Sequence, residues 1–268
     1  MGHLDRAITA SPLRSILIAK KLERFPHDRP SFVATSLPGH LLHYIVEGHV
    51  SQECNGRHVE LLPGRVLWYH EDELVRGDIL QLPWTWYSVN FIAPDLMPPP
   101  FEARLWENMT ESVGAQFVAL AECWEEPVPS LQRVLRAHSL LLDILSVLLA
   151  SPGAKAGLGE PSHLWWSVES ELRKDLSRPI GLDDICKLSG RSAATVARSC
   201  LAATGTSPMQ RLKQVRLSLA RGLVHRSNLS LTEIAEQVGY PRLHEFSRDF
   251  KRHFSATASE ERKQTREI

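Results

Sequence analysis

The side chains best suited to chemistry are the basic residues between positions 242 and 252, where they alternate with phenylalanine. Phe246 and Phe250 are four residues apart, so on a helix they share one face that is suited to a core. Arg248 lies two residues from each, a rotation of about 200°, and therefore faces away from that core. An exposed row of cations either stays solvated or binds a polyanion, and both interpretations are open at this point.

Three histidines and one carboxylate form a second group with metal-binding residue types: His40, His43, Glu47 and His49. Enzymatic cupins hold a metal with two closely spaced histidines, a carboxylate and a later histidine. On a strand, however, His40 and His43 are separated by an odd number and point to opposite faces. We therefore expect no metal and no cofactor. A metal-dependent cupin enzyme with an appended helical domain is the alternative, which metal analysis of the purified protein would distinguish.

The cysteines and the apolar segments limit the class of protein. Cys54, Cys123, Cys186 and Cys200 are scattered without a C-x-x-C pair, which fits buried thiols in a reducing cytoplasm. No apolar run reaches the ~18–20 residues of a membrane helix. No secretory signal is recognisable at the N-terminus. These features predict a cytoplasmic protein that does not enter a membrane.

The net charge of zero conceals an asymmetry along the chain. Residues 1–162 contain 13 Lys and Arg against 19 Asp and Glu, a net charge of −6. The remainder contains 18 against 12, a net charge of +6. A basic C-terminal part beside an acidic N-terminal part suggests that one domain faces a polyanion, although drift of surface charge would give the same count.

Short strands are predicted in the N-terminal half. Residues 41–46 are strand-like and stop at Glu47-Gly48, and Asn55-Gly56 is a two-residue hairpin signal. Residues 58–62, 65–69 and 84–92 follow with turns between them. This spacing suggests a small sandwich or barrel.

Helices are predicted after the strands. They cover residues 103–124, less regularly, and 131–149, with apolar residues at helical spacing. The Gly-, Pro- and Ala-rich residues 151–162 indicate an interdomain linker.

Two similar helical units follow this linker. In the first, a helix over residues 182–188 ends at Ser189-Gly190, and Ser192 caps a second helix to about Thr204. In the second, Ser230 and Glu233 form a capping box, the helix ends at Gly239, and another helix runs from Pro241 to Phe254. Each unit has the helix-turn-helix plan.

A long helix joins the two units. Ser207-Pro208 begins it, and it continues through His225 with an apolar stripe of Leu212, Val215, Leu219 and Leu223. Such a helix would hold two recognition helices at a fixed separation, about one turn of DNA apart.

The order of these residues closely resembles the signature of the AraC/XylS family of transcriptional regulators. The resemblance covers about Pro179 to Arg262. It rests on Gly205-Thr206-Ser207-Pro208, Arg216 and Ala220, Ile234-Ala235, Val238-Gly239-Tyr240 and Phe246-Ser247-Arg248-Asp249-Phe250-Lys251. It implies a sequence-specific DNA-binding regulator of transcription whose all-α domain contains two helix-turn-helix units.

The resemblance also assigns roles to residues of the two recognition helices. In the second, it implies that Arg242, His244 and Arg248 contact base edges, while Lys251 and Arg252 bind phosphates. In the first helix the matching positions are Ala194, Ala197 and Arg198. Alanine can contact only a thymine methyl group, so Arg198 should carry the hydrogen-bonded readout.

The sequence departs from the family pattern in three places. Cys200 and Leu201 stand where an aromatic and a basic residue are usual. Ser255 and Ala258 replace the usual Gly and Pro, and Glu261 stands where Tyr is common. We expect the first unit to bind DNA less strongly than the second, and the C-terminal edge to pack differently from that of other family members.

The segment from His43 to Phe91 resembles the cupin-like barrel that, followed by helices, senses a ligand or forms a dimer in this family. The resemblance rests on Gly48, the Asn55-Gly56 hairpin, the Leu62-Pro63-Gly64 turn and residues 84–91. Five residues are candidates to line an effector pocket: His43, Trp68, His70, Trp86 and Tyr87. The same aromatic residues would equally fill the core of a barrel, and a barrel that mediates only protein contacts is a further alternative.

The expected architecture is a multidomain α+β protein. A cupin-like sensing or dimerisation domain occupies residues 1–150, a linker 151–162, and the double helix-turn-helix domain 163–268. The implied partners are double-stranded promoter DNA, RNA polymerase, a small-molecule effector and a second copy of the chain. We expect no enzymatic activity.

Overall fold

A computed structural model describes residues 11–93, 96–128, 130–150 and 160–266. The N-terminal part is a seven-stranded antiparallel sheet with the order β1-β6-β3-β5-β7, in which β2 also pairs with β6 and β4 with β3. The strands are β1 (Ser15–Arg24), β2 (Ser31–Thr35), β3 (His40–Cys54), β4 (Arg57–Leu61), β5 (Val66–His70), β6 (Leu74–Ile92) and β7 (Leu105–Trp106). This cupin-like sheet domain agrees with the fold class that the sequence predicts.

The two longest strands extend beyond their predicted limits. β3 does not stop at Glu47-Gly48 but continues to Cys54, with shifts of register against β6 between Ile45 and Val50. Gly48 has φ +89°, and a Cβ there would lie 2.6 Å from the carbonyl oxygen of Pro83. Glycine therefore marks an irregularity inside the strand rather than its end. β6 begins at Leu74, ten residues before its predicted start, because it also pairs with β2.

Both faces of the sheet are covered. On one face, Leu42, Trp68 and Phe91 pack under two helices, where they meet Phe117 and Leu141. On the other face, Ile45, Val50, Tyr69, Trp84 and Trp86 form an interior cluster. We call these the helix-facing and the interior faces. Alternate residues of one strand therefore enter different cores.

The two covering helices are α1 (Glu111–Glu125) and α2 (Leu131–Ala150). Helix α1 begins later than the predicted residue 103. Residues Phe101–Ala103 form a 3₁₀ turn, and Leu105–Trp106 pair with β5 as strand β7 instead. Pairing with a distant strand thus replaces the first two helical turns that the local pattern allowed. No helix in the described part of the chain has the length and apolar character needed to cross a membrane.

Seven further helices form the C-terminal part of the described chain. They are α3 (Glu160–Leu172), α4 (Leu182–Ser189), α5 (Ala193–Thr204), α6 (Pro208–Arg226), α7 (Leu231–Gln237), α8 (Leu243–Phe254) and α9 (Ala258–Arg266). Of the predicted linker, residues 151–159 lie outside the described residues, whereas residues 160–162 belong to α3.

Helix α6 joins two separate cores. Its first half places Leu212 and Val215 against α3 and α5, and its second half places Leu217, Ala220 and Val224 against α7 and α8. Leu219, which was expected in the apolar stripe, is 44% exposed. The prediction of a single stripe was wrong because the two cores lie on different sides of α6, so its buried face rotates along its length.

Candidate nucleic-acid interface

Helix α8 is fixed by its phenylalanines and presents its cations outward. Phe246 and Phe250 are fully buried, and their rings lie 5.5 Å apart. Arg242 is the N-cap residue, so it precedes the helix rather than lying inside it. The four side chains of this helix that were predicted to meet DNA are all exposed: His244, Arg248, Lys251 and Arg252.

Helix α5 has the same arrangement with smaller side chains. The Ser192 side chain accepts a hydrogen bond from the backbone N–H of Thr195 and so begins the helix. Val196 and Cys200 are buried, and burial raises the pKa of the Cys200 thiol to about 12. On the opposite side Ala194, Ala197 and Arg198 are exposed.

The two helices are equivalent residue by residue at a spacing of 50. The burial pattern of residues 191–200 is identical to that of residues 241–250. Val196 therefore corresponds to Phe246, and Arg198 to Arg248. The two helices thus offer equivalent outward faces, one of them rich in alanine and the other in cations.

A glycine at each turn sets the angle within the unit. Gly190 ends α4 with φ +64°, and Gly239 follows α7 with φ +77°. At Gly239 a Cβ would lie 2.3 Å from the carbonyl oxygen of Leu176 and 2.7 Å from Nη2 of Arg216. Backbone approaches so closely here that only glycine fits.

Few acidic groups compensate the exposed cations. Arg248 Nε lies 3.6 Å from Oδ1 of Asp249, whose other oxygen is 2.7 Å from Nζ of Lys213. Arg242 lies 3.9 Å from Glu245. The exposed pair of Arg242 and Glu245 is weak, so a phosphate can replace it, whereas the side chain of Asp249 is only 11% exposed and that of Arg248 is 61% exposed. Among the described residues, no carboxylate lies within salt-bridge distance of Arg198, Lys251 or Arg252, while the pKa of Glu260 is lowered by a hydrogen bond from the backbone N–H of Thr257 and also by the charge of Lys251.

The departures from the family pattern have structural explanations. Ser255 ends α8 in the left-handed conformation, with φ +61°, where glycine is usual. The buried carboxylate of Glu261 binds both Nε of Arg221 and Nε2 of His225 at 2.8 Å. An ion-paired glutamate on α9 thereby fills the position where tyrosine is common.

The five predicted effector residues do not line one cavity. Trp68, His70 and Tyr87 lie on the helix-facing side of the sheet, whereas His43 and Trp86 contact each other on the interior side, with ring centroids 6.0 Å apart. Removal of its ring from water lowers the pKa of His43 to about 3. Spacing along the sequence did not separate the two faces because the residues lie on three different strands.

The four candidate metal ligands are also dispersed. His40 packs against Trp68 and Phe91, while His43 packs against Tyr69 on the other face, as their odd spacing predicts. His49 Nε2 is 2.5 Å from a carboxylate oxygen of Glu60. Within the described ranges, no three His, Cys, Asp or Glu side chains are grouped to hold a metal ion.

A cleft of about 450 Å³ opens between the sheet domain and α3. Among the predicted effector residues it contains His70, and it adds one aromatic residue that the sequence did not single out, Trp166. Contacts between the two domains were likewise not foreseen. The side chains of Asn55, Arg76 and Arg104 of the sheet domain donate hydrogen bonds to backbone carbonyls of α5 and α8, and nothing in the local sequence predicts these contacts.

Comparison with known proteins assigns a family to each part. The sequence model described as AraC-like ligand binding domain matches residues 22–162, and the model described as Helix-turn-helix domain matches residues 185–264. The Msm operon regulatory protein of Streptococcus mutans is 21% identical over 246 residues, which cover 87% of each chain. The RCS-specific HTH-type transcriptional activator RclR of Escherichia coli is 32% identical over 108 residues, which cover 40% of this chain and 33% of RclR.

Solved structures share the fold at low sequence identity. ToxT from Vibrio cholerae superposes with a TM-score of 0.63 at 14% identity, covering 93% of this chain and 98% of ToxT. A ToxT structure described as bound to an unsaturated fatty acid gives 0.60 at 13% identity, covering 93% and 96%. This likeness extends through both domains.

Proposed function

This chain belongs to the AraC family of DNA-binding transcriptional regulators, and on that premise we propose that it reads its DNA site with the outward faces of α5 and α8. The equivalence of residues 191–200 and 241–250 in burial is the observation that carries this proposal. Two equivalent faces held by one connecting helix suit two successive segments of the major groove.

The connecting helix supports this geometry. Helix α6 contains 19 residues, which corresponds to about 28 Å at 1.5 Å per residue. Both cores pack on it, so the two helix-turn-helix units are held together through buried contacts rather than through a loop. One turn of DNA measures about 34 Å, a separation of the same order.

We assign different roles to the exposed side chains. Arg198 and Arg248 hydrogen-bond base edges, since a guanidinium group can hold guanine through two bonds. Arg242 and His244, at the amino end of α8, approach neighbouring bases. Lys251 and Arg252 bind phosphates. Ala194 and Ala197 contact thymine methyl groups, so the first unit contributes less affinity than the second.

Substitution of Arg248, with Lys251 as the matched comparison, tests this assignment. An operator is first selected from a random duplex library with the full chain. Arg248→Ala should then cost about 1–3 kcal/mol on that operator and relax the preference at one base pair. Lys251→Ala should weaken binding to operator and random DNA equally and lower the salt slope by about one unit.

Equal losses on operator and random DNA for Arg248→Ala, together with a lower melting temperature, would contradict base reading. They would indicate instead that Arg248 braces the domain through Asp249. Retrieval of no DNA sequence by the folded full chain would contradict the proposed interface altogether.

The sheet domain senses a small molecule and joins two copies of the chain in this proposal. The match to an AraC-like ligand binding domain over residues 22–162 supports sensing. Exposed apolar residues of α2, Leu131 and Leu135, support self-association. The protein then acts in the cytoplasm by binding rather than catalysis, and it alters transcription through contact with RNA polymerase. We place the domain boundary within residues 151–162, after α2.

A further inference from the structure

The cleft between the sheet domain and α3 has the dimensions and walls of a small-molecule site. Its volume of about 450 Å³ lies within the range of pockets that enclose organic ligands. The apolar wall is formed by Ile92, Leu96, Met97 and Pro98. The opposite wall is formed by His70 and Trp166, whose ring centroids lie 4.6 Å apart.

Two polar atoms of that wall lack a hydrogen-bond partner. Nδ1 of His70 and Nε1 of Trp166 are both buried and unpaired in the described structure. A buried donor without an acceptor loses its hydrogen bond to water and gains none in exchange. A ligand that brings an acceptor to Trp166, through a small widening of the cleft, would restore that bond.

The neighbouring histidine is already satisfied. His40 Nε2 lies 3.3 Å from the carbonyl oxygen of Ala93, and its Nδ1 accepts a hydrogen bond from Nε1 of Trp68 at 3.1 Å. This donor and this acceptor together fix a neutral tautomer of His40. Of the aromatic side chains that line the cleft, His70 and Trp166 therefore carry the unpaired ring nitrogens, and the hydroxyl groups of Ser167 and Ser170 line the cleft as well.

The charges around the cleft disfavour an anion. Arg173 Nη2 contacts Asp72 and Glu169 at 2.6 Å and Glu71 at 3.3 Å. Arg211, the second cation, donates two hydrogen bonds of 2.8 Å to Glu169. Three carboxylates thus surround two guanidinium groups, which leaves one net negative charge among these five side chains. Nη1 of Arg211 is buried without a hydrogen-bond partner, but Arg211 is not one of the residues that line the cleft.

We propose that this cleft binds an uncharged aromatic molecule that carries a hydrogen-bond acceptor, recognised by Trp166 and His70. The proposal deepens the sensing role proposed above and rests on it for its biological meaning. Helix α3, which contributes Trp166 to the cleft, also contacts the connecting helix, because Glu169 of α3 forms an ion pair with Arg211 of α6. Occupation of the cleft would therefore act on the helix that connects the two helix-turn-helix units.

Two isosteric probes, 2-naphthamide and 2-naphthoate, test the proposal on the full chain by isothermal titration calorimetry. The amide should bind at sub-millimolar concentration, and the carboxylate at least about ten times more weakly, because it places a second excess negative charge in the cleft. Trp166→Phe keeps the ring wall but removes the N–H, so it should weaken binding of the amide by about tenfold.

Trp84→Phe is the matched control, because Nε1 of Trp84 is also buried and unpaired but belongs to the interior cluster. It should leave binding of the amide unchanged. Absence of amide binding at millimolar concentration, tighter binding of 2-naphthoate, or a loss confined to Trp84→Phe would each overturn the proposal. The comparison of the two probes on the unsubstituted chain remains decisive if Trp166→Phe does not fold.

Binding of the selected operator, measured on the same preparations, separates the two levels of inference. Intact DNA binding without probe binding removes only the cleft as a ligand site. Loss of specific DNA binding by the folded, unsubstituted chain removes the proposed function itself.

Discussion

Arg104 of the sheet domain donates a hydrogen bond of 2.6 Å from Nη2 to the backbone carbonyl of Ala203, in the last turn of α5. Asn55 donates to the next carbonyl, that of Thr204, at 3.1 Å. At α8, Nη2 of Arg76 approaches the carbonyl of His253 at 3.3 Å. The last carbonyls of a helix have no partner within it, so the sheet domain supplies donors to the ends of both proposed recognition helices.

Arg104 should be essential for stability because it also neutralises a buried carboxylate. Both Arg104 and Glu73 are 1% exposed, and they form an ion pair. We expect Arg104→Met to lower the free energy of unfolding by about 3–5 kcal/mol, since it leaves the charge of Glu73 unpaired. Urea denaturation of the full chain measures this loss.

The double variant Arg104→Met with Glu73→Gln is the control for that interpretation. It removes the unpaired charge and should recover part of the lost stability. A double variant no more stable than Arg104→Met alone would show that the contact with Ala203, rather than the ion pair, is the larger contribution.

The two turn glycines should differ in their tolerance of alanine. Gly190 and Gly239 both have positive φ, but a Cβ at Gly190 meets nothing within 4 Å, whereas one at Gly239 meets Leu176 and Arg216. Gly190→Ala should cost about 1–2 kcal/mol from backbone strain alone. Gly239→Ala should cost clearly more, because the chain must also move.

Thermal unfolding of the two variants provides the comparison. Similar melting temperatures for Gly190→Ala and Gly239→Ala would mean that the close approach to Leu176 relaxes without cost, and the rigidity of the second unit would then be in doubt.

Stability should fall as the pH drops below about 6.5. The ordinary histidine pKa is 6.5, and loss of water around the ring lowers it to about 3 at His43 and about 4 at His40. As the pH falls, the unfolded chain therefore binds these protons before the folded chain does. For each histidine, the free energy of unfolding decreases by about 1.4 kcal/mol per pH unit between the ordinary pKa and the lowered pKa of the folded state.

His43→Leu removes one of these titrating groups. The dependence of the free energy of unfolding on pH should therefore become less steep, by the contribution of one histidine, between about pH 6 and 4. The measurement is the free energy of unfolding in urea at several pH values, with His27, an exposed histidine, replaced by leucine as the control. If the two variants give the same slope as the unsubstituted chain, His43 is already protonated or hydrated in the folded state.

Self-association should depend on α2. Leu131 and Leu135 are 74% and 60% exposed and lie one turn apart on the same face. We expect the full chain to sediment as a dimer at micromolar concentration, and Leu131→Asp with Leu135→Asp to give a monomer, because two carboxylates would be buried without partners.

Val128→Asp introduces a charge at a residue that is also exposed but precedes α2, so it serves as the control. A monomeric unsubstituted chain at tens of micromolar would contradict dimerisation, and a dimer that survives the double substitution would place the interface elsewhere.

The DNA-binding half was largely predictable from the sequence. The caps at Ser192, Ser207 and Ser230, the turn at Gly190 and the spacing of Phe246 and Phe250 involve residues at most four positions apart. Such interactions depend only on residues that are close together in the sequence. The predicted ends of α4, α5 and α6 therefore lie within one residue of those observed. The family resemblance then added the roles of outward side chains.

The sheet domain was less predictable because its contacts are distant in sequence. The length of β6 depends on pairing with strands β1 and β2, which carry no clear local signal, and the length of β3 depends on pairing with β4 and β6. His43 and Trp86 lie on the interior face of the sheet, whereas Trp68 and His70 lie on the helix-facing side. This separation depends on how each strand is oriented in the sheet. Period-two alternation predicts that neighbouring residues of a strand lie on opposite faces of the sheet. It does not predict which of the two faces packs against the helices.

The sequence by itself determined the two helix-turn-helix units and the alternation of His40 and His43, because helix periodicity, caps and strand alternation are local properties. The tertiary structure alone decided that Trp166 packs beside His70 in one wall of the cleft and that Arg104 reaches Ala203. Those pairs are separated by 96 and 99 residues along the chain. Only the packing of one domain against the other brings them within reach.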